Sequence, residues 1–477
     1  MPDPTLRLQA VRGGSILAAR QGASLVLGLG ATVVLTRLLG PAGYGQFAAA
    51  LAIYAYIFLV AQLGINAYLL RRLDDDPAAY ATARTLLMAT AIIAFGIGAV
   101  ALPWLERWLG GVGVRPLAML LLAGLPLQLL MLVSLAALER ALDYRVVAAA
   151  ELAGIILMYS LSVLLAWRGF GPKAMVIGWW VQQVVMFVWL QRACGQPFRF
   201  GFDRGIARRT LAYGGSYAVS VWTLQLRELV NPLIVGRWLG VEGVAIVAIA
   251  VRLVEAASFV KTSAWRLALP TLARLQNAPA KLGAAVTEGM RLQLLVVGPM
   301  LLVLVTVSPW VIPTLFGDEW LAVRTILPLI AAGTLTSAMF NLHSSALFAM
   351  GRNAAVLTFN VIYVLLFAFA AWRLVPLIGV GGYGIAELMA LPAYISIFLA
   401  LRRATERPAF SQGVELTLGL FLVLALAGSA WDPRWALVAL VPLASARVRA
   451  GIRDTYATVR GGWRVGGGNH PGAKAAP

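Results

Sequence analysis

The peptide Arg37-Leu38-Leu39-Gly40-Pro41-Ala42-Gly43 returns about 200 residues later as Arg237-Trp238-Leu239-Gly240-Val241-Glu242-Gly243, a period long enough to hold a bundle of several helices. Two more blocks recur in the same order. Gly13-Gly14-Ser15 is echoed by Gly214-Gly215-Ser216. Leu70-Arg71-Arg72-Leu73 with Pro77-Ala78 is echoed by Leu272-Ala273-Arg274-Leu275 with Pro279-Ala280. The offset barely drifts across the whole stretch. A chain duplicated on this scale points to two equivalent halves, an arrangement that builds a site between rocking lobes.

The solvent of those halves follows from composition. Of 477 residues, 60% are hydrophobic and only 12% are charged, about half the charge of an ordinary soluble domain. Apolar runs of about 20 residues recur throughout, each long enough to cross about 30 Å of hydrocarbon. They do not alternate polar with apolar, which excludes a barrel. The expected fold is therefore all-α, a polytopic membrane protein of about fourteen transmembrane helices. These lie near 14–37, 44–70, 85–105, 116–138, 146–167, 174–191, 211–236, 243–269, 290–315, 323–350, 354–374, 380–401, 412–430 and 434–447. Residues 1–192 and 211–407 form two six-helix lobes, joined by a cytoplasmic inter-lobe linker at 193–210. An appended helix pair (408–447) and a basic, disordered cytoplasmic tail (448–477) complete the chain. Six is even, so the lobes run in the same direction about a pseudo-two-fold axis along the membrane normal.

Arginine and lysine set the orientation. Arg7, Arg12, Arg71, Arg72, Arg84, Arg140, Arg145, Arg192, Arg199, Arg204, Arg208, Arg209, Arg274, Lys281, Arg291, Arg352, Arg402, Arg403 and Arg407 fall on one side, together with the basic tail. The other side holds Arg37, Arg107, Arg115, Arg168, Lys173, Arg237, Arg324, Arg373 and Arg434. The richer side is expected in the cytoplasm, with both termini there. The net charge of +19 is thus topological, with contact to anionic lipid headgroups as a by-product. It gives no reason to invoke nucleic acid. The first apolar segment is interrupted by Arg20 and runs on to Leu38, too long for a signal-peptide core, and reads as a retained first helix.

Charges inside the spans are costly and mark candidate functional positions. Arg20, Arg227, Arg252, Lys261 and Arg266 remain within helices once the loops are assigned. Lys261 and Arg266 lie within reach of the cytoplasmic interface and can snorkel there. Arg227 and Arg252 lie deeper and favour a lumen. At 100° per residue, Arg252, Glu255 and Arg266 share one face of their helix while Lys261 points away. The cationic candidates are Arg20, Arg227, Arg252 and Arg266. Glu255 and Glu228 are the carboxylates for ion coupling or charge pairing; Glu228, adjacent to Arg227, is expected to point elsewhere. Glu151 lies near a helix end, within reach of water. None of these charges is duplicated at the repeat offset, so the halves contribute unequally.

Several chemistries are disfavoured. The single cysteine, Cys194, rules out an intrachain disulfide, and neither histidine has a metal-ligand neighbour at the required spacing, so no metal or cofactor is assigned. There is no G-x-x-x-x-G-K-[ST] phosphate loop for ATP hydrolysis. Nor is there a long extracytoplasmic loop to house a catalytic centre, as a membrane glycan polymerase or ligase requires.

The segment Arg37-Leu38-Leu39-Gly40-Pro41-Ala42-Gly43-Tyr44-Gly45-Gln46-Phe47 with Leu63-Gly64, and Leu269-Pro270-Thr271-Leu272-Ala273-Arg274-Leu275-Gln276 in the second half, resembles a known family. These residues are similar to the polysaccharide-unit (Wzx-type O-antigen and exopolysaccharide) flippases of the exporter superfamily that also holds lipid II flippases and multidrug exporters. The resemblance covers about residues 10–410 and implies two six-helix lobes around a cavity that opens alternately to each side. It implies a bacterial inner-membrane location and an undecaprenyl-diphosphate-linked oligosaccharide as cargo. The polymerase and chain-length regulator of surface polysaccharide synthesis are the implied partners. A cationic lumen suits a diphosphate, because paired guanidinium donors replace its hydration. The rivals are a lipid II flippase, which differs only in cargo, and a cation-coupled multidrug exporter, which usually relies on buried carboxylates. Flipping breaks no bond, so no enzyme activity is expected.

Overall fold

The structure, a computed structural model, describes residues 4–71, 76–111, 113–259, 261, 272, 275, 278–405 and 449, with side chains from residue 20 onward apart from 71, 216, 217 and 220. Every regular element among them is helical. In chain order they are α1 (Pro4–Ala61), α2 (Ile65–Arg71), α3 (Pro77–Trp108), α4 (Val114–Leu122), α5 (Leu125–Arg140), α6 (Tyr144–Trp167) and α7 (Lys173–Ala193). The second half follows with α8 (Arg204–Gln225), α9 (Gly236–Ala257), α10 (Pro279–Val311), α11 (Val323–Ala349), α12 (Asn353–Ile378), α13 (Val380–Met389) and α14 (Tyr394–Arg402).

The 58 residues of α1 cover about 87 Å at 1.5 Å per residue, nearly three hydrocarbon thicknesses. One crossing cannot hold them. Gly40 divides the helix, with φ 65° and ψ 177°, a conformation essentially restricted to glycine. Pro41 then starts the next helix with its fixed φ and no orphaned donor. Gly240, at the duplicated position, adopts φ 67° and ψ −168°. The repeated sequence is therefore a repeated backbone. Burial repeats with it: Leu35 and Val235, Phe47 and Val247, and Ala50 and Ala250 are buried, while Arg37 and Arg237 are exposed.

Nine helices among the described residues are long and apolar enough to cross a membrane, or ten if α4 and α5 form one span. Two of the nine contain the glycine breaks just described. Ile92, Ile93, Ile97 and Val100 on α3 are 61–71% exposed. Such an apolar stripe is stable only against lipid. The chain is a multi-pass membrane protein. The expected helices near 412–430 and 434–447, the basic tail and Arg266 lie outside the described residues.

Several boundaries differ from the sequence reading. The helix expected at 44–70 is interrupted after Ala61, where Gly64 takes φ 67°. That expected at 211–236 begins at Arg204, inside the expected linker, because Asp203 caps it by accepting from the Ile206 amide. That expected at 290–315 begins at Pro279, so Lys281 and Arg291 are helical rather than loop residues. The helix expected near 85–105 begins at Pro77, because Asp76 caps it by accepting from the Ala78 amide. Arg84 is therefore not a loop residue. It is a fully buried side chain of α3. The helix expected at 116–138 is bent by 41° between α4 and α5. There Gly124 lies under the Trp179 indole, where a Cβ would sit 2.6 Å from the ring.

By contacts the chain forms two compact units. The first comprises residues 1–252, 309–326 and 360–390. Within it α6 packs along both α1 and α7, and Gly178 of α7 lets the α6 backbone approach at Met158, the small-residue packing typical of membrane helices. Gly45 lies against the Val241 backbone, and Gly64 against that of Gly214. Glycines of the two sequence repeats thus meet where no side chain fits. The extended segment 195–203 is stitched to α3: Arg84 donates to the Pro197 carbonyl (2.8 Å) and Thr85 to that of Gly201 (2.7 Å), while the Asp203 amide donates to Thr82 (3.2 Å).

The second unit comprises 253–308, 327–359 and 391–477. There Gly289 of α10 receives the Leu342 side chain of α11. Tyr394 stacks on Phe340 (4.9 Å) and meets Phe359 at 4.8 Å.

Candidate functional site

On α1 the residues Arg20, Ser24, Gly28, Thr32 and Thr36 recur every fourth position. They form one polar edge along an otherwise apolar helix. The facing helix is α6, whose Glu151 and Tyr159 are separated by the same step as Arg20 and Gly28. Two polar rungs result, about 12 Å apart along the pair at 1.5 Å per residue.

The first rung is an ion pair, Arg20 Nη1 to Glu151 Oε2 at 3.0 Å, with side chains 17% and 21% exposed. Glu151 had been expected to reach water; here the guanidinium of α1 supplies its counter-charge. The second rung receives Arg252 from α9. Its Nη2 donates to the Tyr159 hydroxyl at 2.9 Å and to the Gly28 carbonyl at 3.3 Å. That carbonyl also accepts from Thr32 Oγ1 at 2.7 Å. The Tyr44 hydroxyl lies within reach of both Arg252 and Thr32. Gly28 matters by absence: a Cβ there would stand 3.0 Å from Arg252 Nη2 and 3.2 Å from the Tyr159 oxygen. Gly28 and Arg252 are equally far from their glycine breaks at Gly40 and Gly240, about 18 Å by helical rise.

Two of the remaining candidates pair with each other. Arg227 sits in a 3₁₀ turn, Leu226–Leu229, and its Nε bonds Glu228 Oε1 at 3.0 Å, the two side chains being 35% and 45% exposed. The expectation that Glu228 points away from Arg227 is thus overturned. Neighbouring Cβ atoms diverge on a helix, but the long arginine chain folds back far enough to close the pair. Glu255 is exposed near the end of α9. Lys261, read as snorkelling toward the headgroups, instead donates to Ser337 Oγ at 3.3 Å, and its carbonyl accepts from Asn341. Ser337 and Asn341 form a polar position on α11, which offers the ammonium a nearer partner than the interface.

Sequence reasoning missed Tyr44, Tyr159 and Gly28. The four-residue polar spacing on α1 was the available signal. It also missed a second arginine arrangement: Arg37 Nε donates to the Leu315 carbonyl at 2.6 Å, with Nη2 on that of Thr314, and Arg237 Nη1 donates to the Trp108 carbonyl at 3.2 Å.

The described residues thus form a bundle of membrane-spanning helices in which the glycine breaks are duplicated. The solved structures agree on the fold. The lipid II flippase MurJ, in an inward closed conformation, superposes with a TM-score of 0.69 over 94% of this chain and 98% of MurJ, at 13% identity. The Vibrio cholerae MATE transporter VcmN gives 0.57 over 84% and 97%, at 15% identity. At these identities the likeness shows the fold alone.

Residues 34–325 match the family described as Polysaccharide biosynthesis protein, and the chain belongs to that family. The amylovoran biosynthesis protein AmsL of Erwinia amylovora is 27% identical over 204 residues, 42% of this chain and 52% of AmsL. The match therefore spans about half the length of that relative. The chain thus belongs to a polysaccharide biosynthesis family and has the fold of solved membrane transporters.

Proposed function

We propose that this chain flips an undecaprenyl-diphosphate-linked oligosaccharide across the bacterial cytoplasmic membrane for surface polysaccharide synthesis, with Arg252 as the principal diphosphate ligand. The observation that carries the reading is a guanidinium held by a phenol and a main-chain carbonyl where α1, α6 and α9 meet, about 18 Å by helical rise from the glycine breaks, a depth we read as mid-span. A diphosphate cannot enter hydrocarbon bare. A guanidinium offers it forked, charge-assisted donors, and the Tyr159 and Gly28 contacts are neutral ones that a phosphate oxygen can replace. Arg20 stands one rung away, balanced by Glu151. Arg227 is a weaker candidate because Glu228 already accepts from it.

Membership of a polysaccharide biosynthesis family favours a glycan carrier as cargo. The lipid tail remains in the bilayer while the headgroup passes between the two six-helix lobes by alternating access. The excess of arginine near Arg84, Arg140 and the 195–203 segment supports a cytoplasmic position for that end. The Arg37, Trp108 and Arg237 end then faces outward, about 36 Å away along α3 by helical rise. A polymerase and a chain-length regulator are the partners expected on that outer side.

The test is accumulation of lipid-linked intermediates in a strain lacking this chain, complemented with wild type, Arg252→Ala or Arg252→Lys. The reading expects undecaprenyl-diphosphate oligosaccharide to build up and wild type to relieve it, with alanine failing and lysine partly restoring flux. Accumulation of lipid II in its place reassigns the cargo. Unchanged intermediates with altered resistance to cationic drugs sink the flippase reading.

A further inference from the structure

The duplicated arginines do the same thing twice. Arg37, in the first repeat, bonds the Thr314 and Leu315 carbonyls in the turn Ile312–Phe316 that ends α10, in the second repeat. Arg237, in the second repeat, bonds the carbonyl of Trp108, the last residue of α3 in the first. The two recipient helices are themselves equivalent, opening at Pro77 and Pro279 in the repeated block. Each repeat therefore caps the helix end of the other, the reciprocity of a two-fold interface.

Carbonyls at a helix C-terminus have no partner within the helix and carry partial negative charge, so a guanidinium satisfies them well. Aromatic layers reinforce both contacts. Arg237 lies over the Trp108 and Trp238 rings at 5.3 and 5.8 Å, and Trp372 packs on both indoles. On the other arm Tyr44 meets the buried Trp320 edge-on at 5.9 Å. By contrast Arg107, at the same end, donates only within its own helix, to Pro103.

We propose that Arg37 and Arg237 form a paired gate on the arginine-poor face, sealing the space above Arg252 until both clasps release together. The inference rests on the alternating access proposed above but not on the identity of the cargo. Opening that face separates each arginine from its carbonyls, and because the clasps are reciprocal, releasing one strains the other. The motif is thus duplicated because the gate needs both halves, whereas the mid-span guanidinium is not duplicated.

The test uses Ser24→Cys in a Cys194→Ser background, which leaves one thiol in the chain. The Ser24 hydroxyl is shut off from solvent on the polar edge of α1. Labelling by a membrane-impermeant maleimide is followed in right-side-out spheroplasts. Arg37→Ala and Arg237→Ala should each accelerate labelling, and the double variant by about tenfold or more, the scale of a lost charge-assisted hydrogen bond. Arg107→Ala should leave the rate unchanged. A double variant that elutes as a single folded species and labels at the parental rate overturns the gate, as does equal acceleration by Arg107→Ala. If the alanine double fails to insert, Arg37→Lys decides, since lysine keeps the charge but cannot fork across the Thr314 and Leu315 carbonyls: faster labelling supports the gate and a parental rate refutes it. Acceleration seen only in inside-out vesicles keeps the clasp and overturns the orientation proposed above.

Discussion

A methyl group on Gly45 is driven into the main chain of Val241. The Cβ of alanine at this position would stand 2.6 Å from the Val241 carbonyl carbon and closer still to its oxygen. Carbon atoms prefer about 3.5–4.0 Å, so the two segments must part by about 1 Å. A side chain could rotate away, but a carbonyl inside a helix cannot. The surroundings offer no slack, since Tyr44, Val244 and Ala245 are all buried. Overpacking of this kind costs about 1–3 kcal/mol, and a main-chain clash belongs at the upper end. Replacing glycine in a helix returns at most about 1 kcal/mol of propensity. The net expectation is a destabilisation of about 2 kcal/mol. Gly30 supplies the internal control, because nothing lies within 4 Å of its added Cβ. Gly30→Ala should keep the propensity gain and lose nothing. Thermal unfolding in detergent, read by fluorescence-detected size exclusion, should place Gly45→Ala about 2 °C below wild type for a chain of this length, with Gly30→Ala level or slightly above. Equal shifts for the two variants, or a stabilised Gly45→Ala, would refute the close helix crossing.

Other expectations follow from the same geometry. Gly40→Ala and Gly240→Ala each force a Cβ into a backbone region reserved for glycine, at about 1–3 kcal/mol; the yield of folded protein should fall for each and most for both. Arg20→Met or Glu151→Gln leaves one partner of a largely buried pair without its counter-charge, whereas Arg20→Met with Glu151→Leu removes both. Melting should show each single variant less stable than the double. Tyr159→Phe deletes a hydrogen bond to a charged group, worth about 1.5–3 kcal/mol. Complementation of intermediate accumulation should weaken while melting falls by no more than about 3 °C, and a wild-type rescue would argue against Tyr159 as a positioning residue for Arg252.

The duplicated motif was legible because glycine and arginine at fixed spacing encode backbone conformation, and Gly40 and Gly240 share theirs to within a few tens of degrees. Position along a helix is what made Arg252 a candidate. Its partners were not legible. Helical periodicity says which face a residue occupies but not which helix meets that face, so Tyr159 and Gly28 could not be joined to Arg252 in advance. Pairing by periodicity also failed where side chains are long. Arg227 reached its immediate neighbour Glu228, and Lys261 found Ser337 on another helix. The loop assignment of Arg84 failed for a simpler reason: a charged residue near a helix start looks solvated unless the cap at Asp76 is recognised.

The strap at 195–203 has a mechanical consequence. Its carbonyls and amides are committed to Thr82, Arg84 and Thr85 on α3, so the covalent join between the repeats is not a slack cord. Tension applied by the second repeat is delivered to one point, where Asp203 caps α8 by accepting from the Ile206 amide. Under the alternating access proposed above, the second repeat would move about an anchorage fixed by α3 of the first.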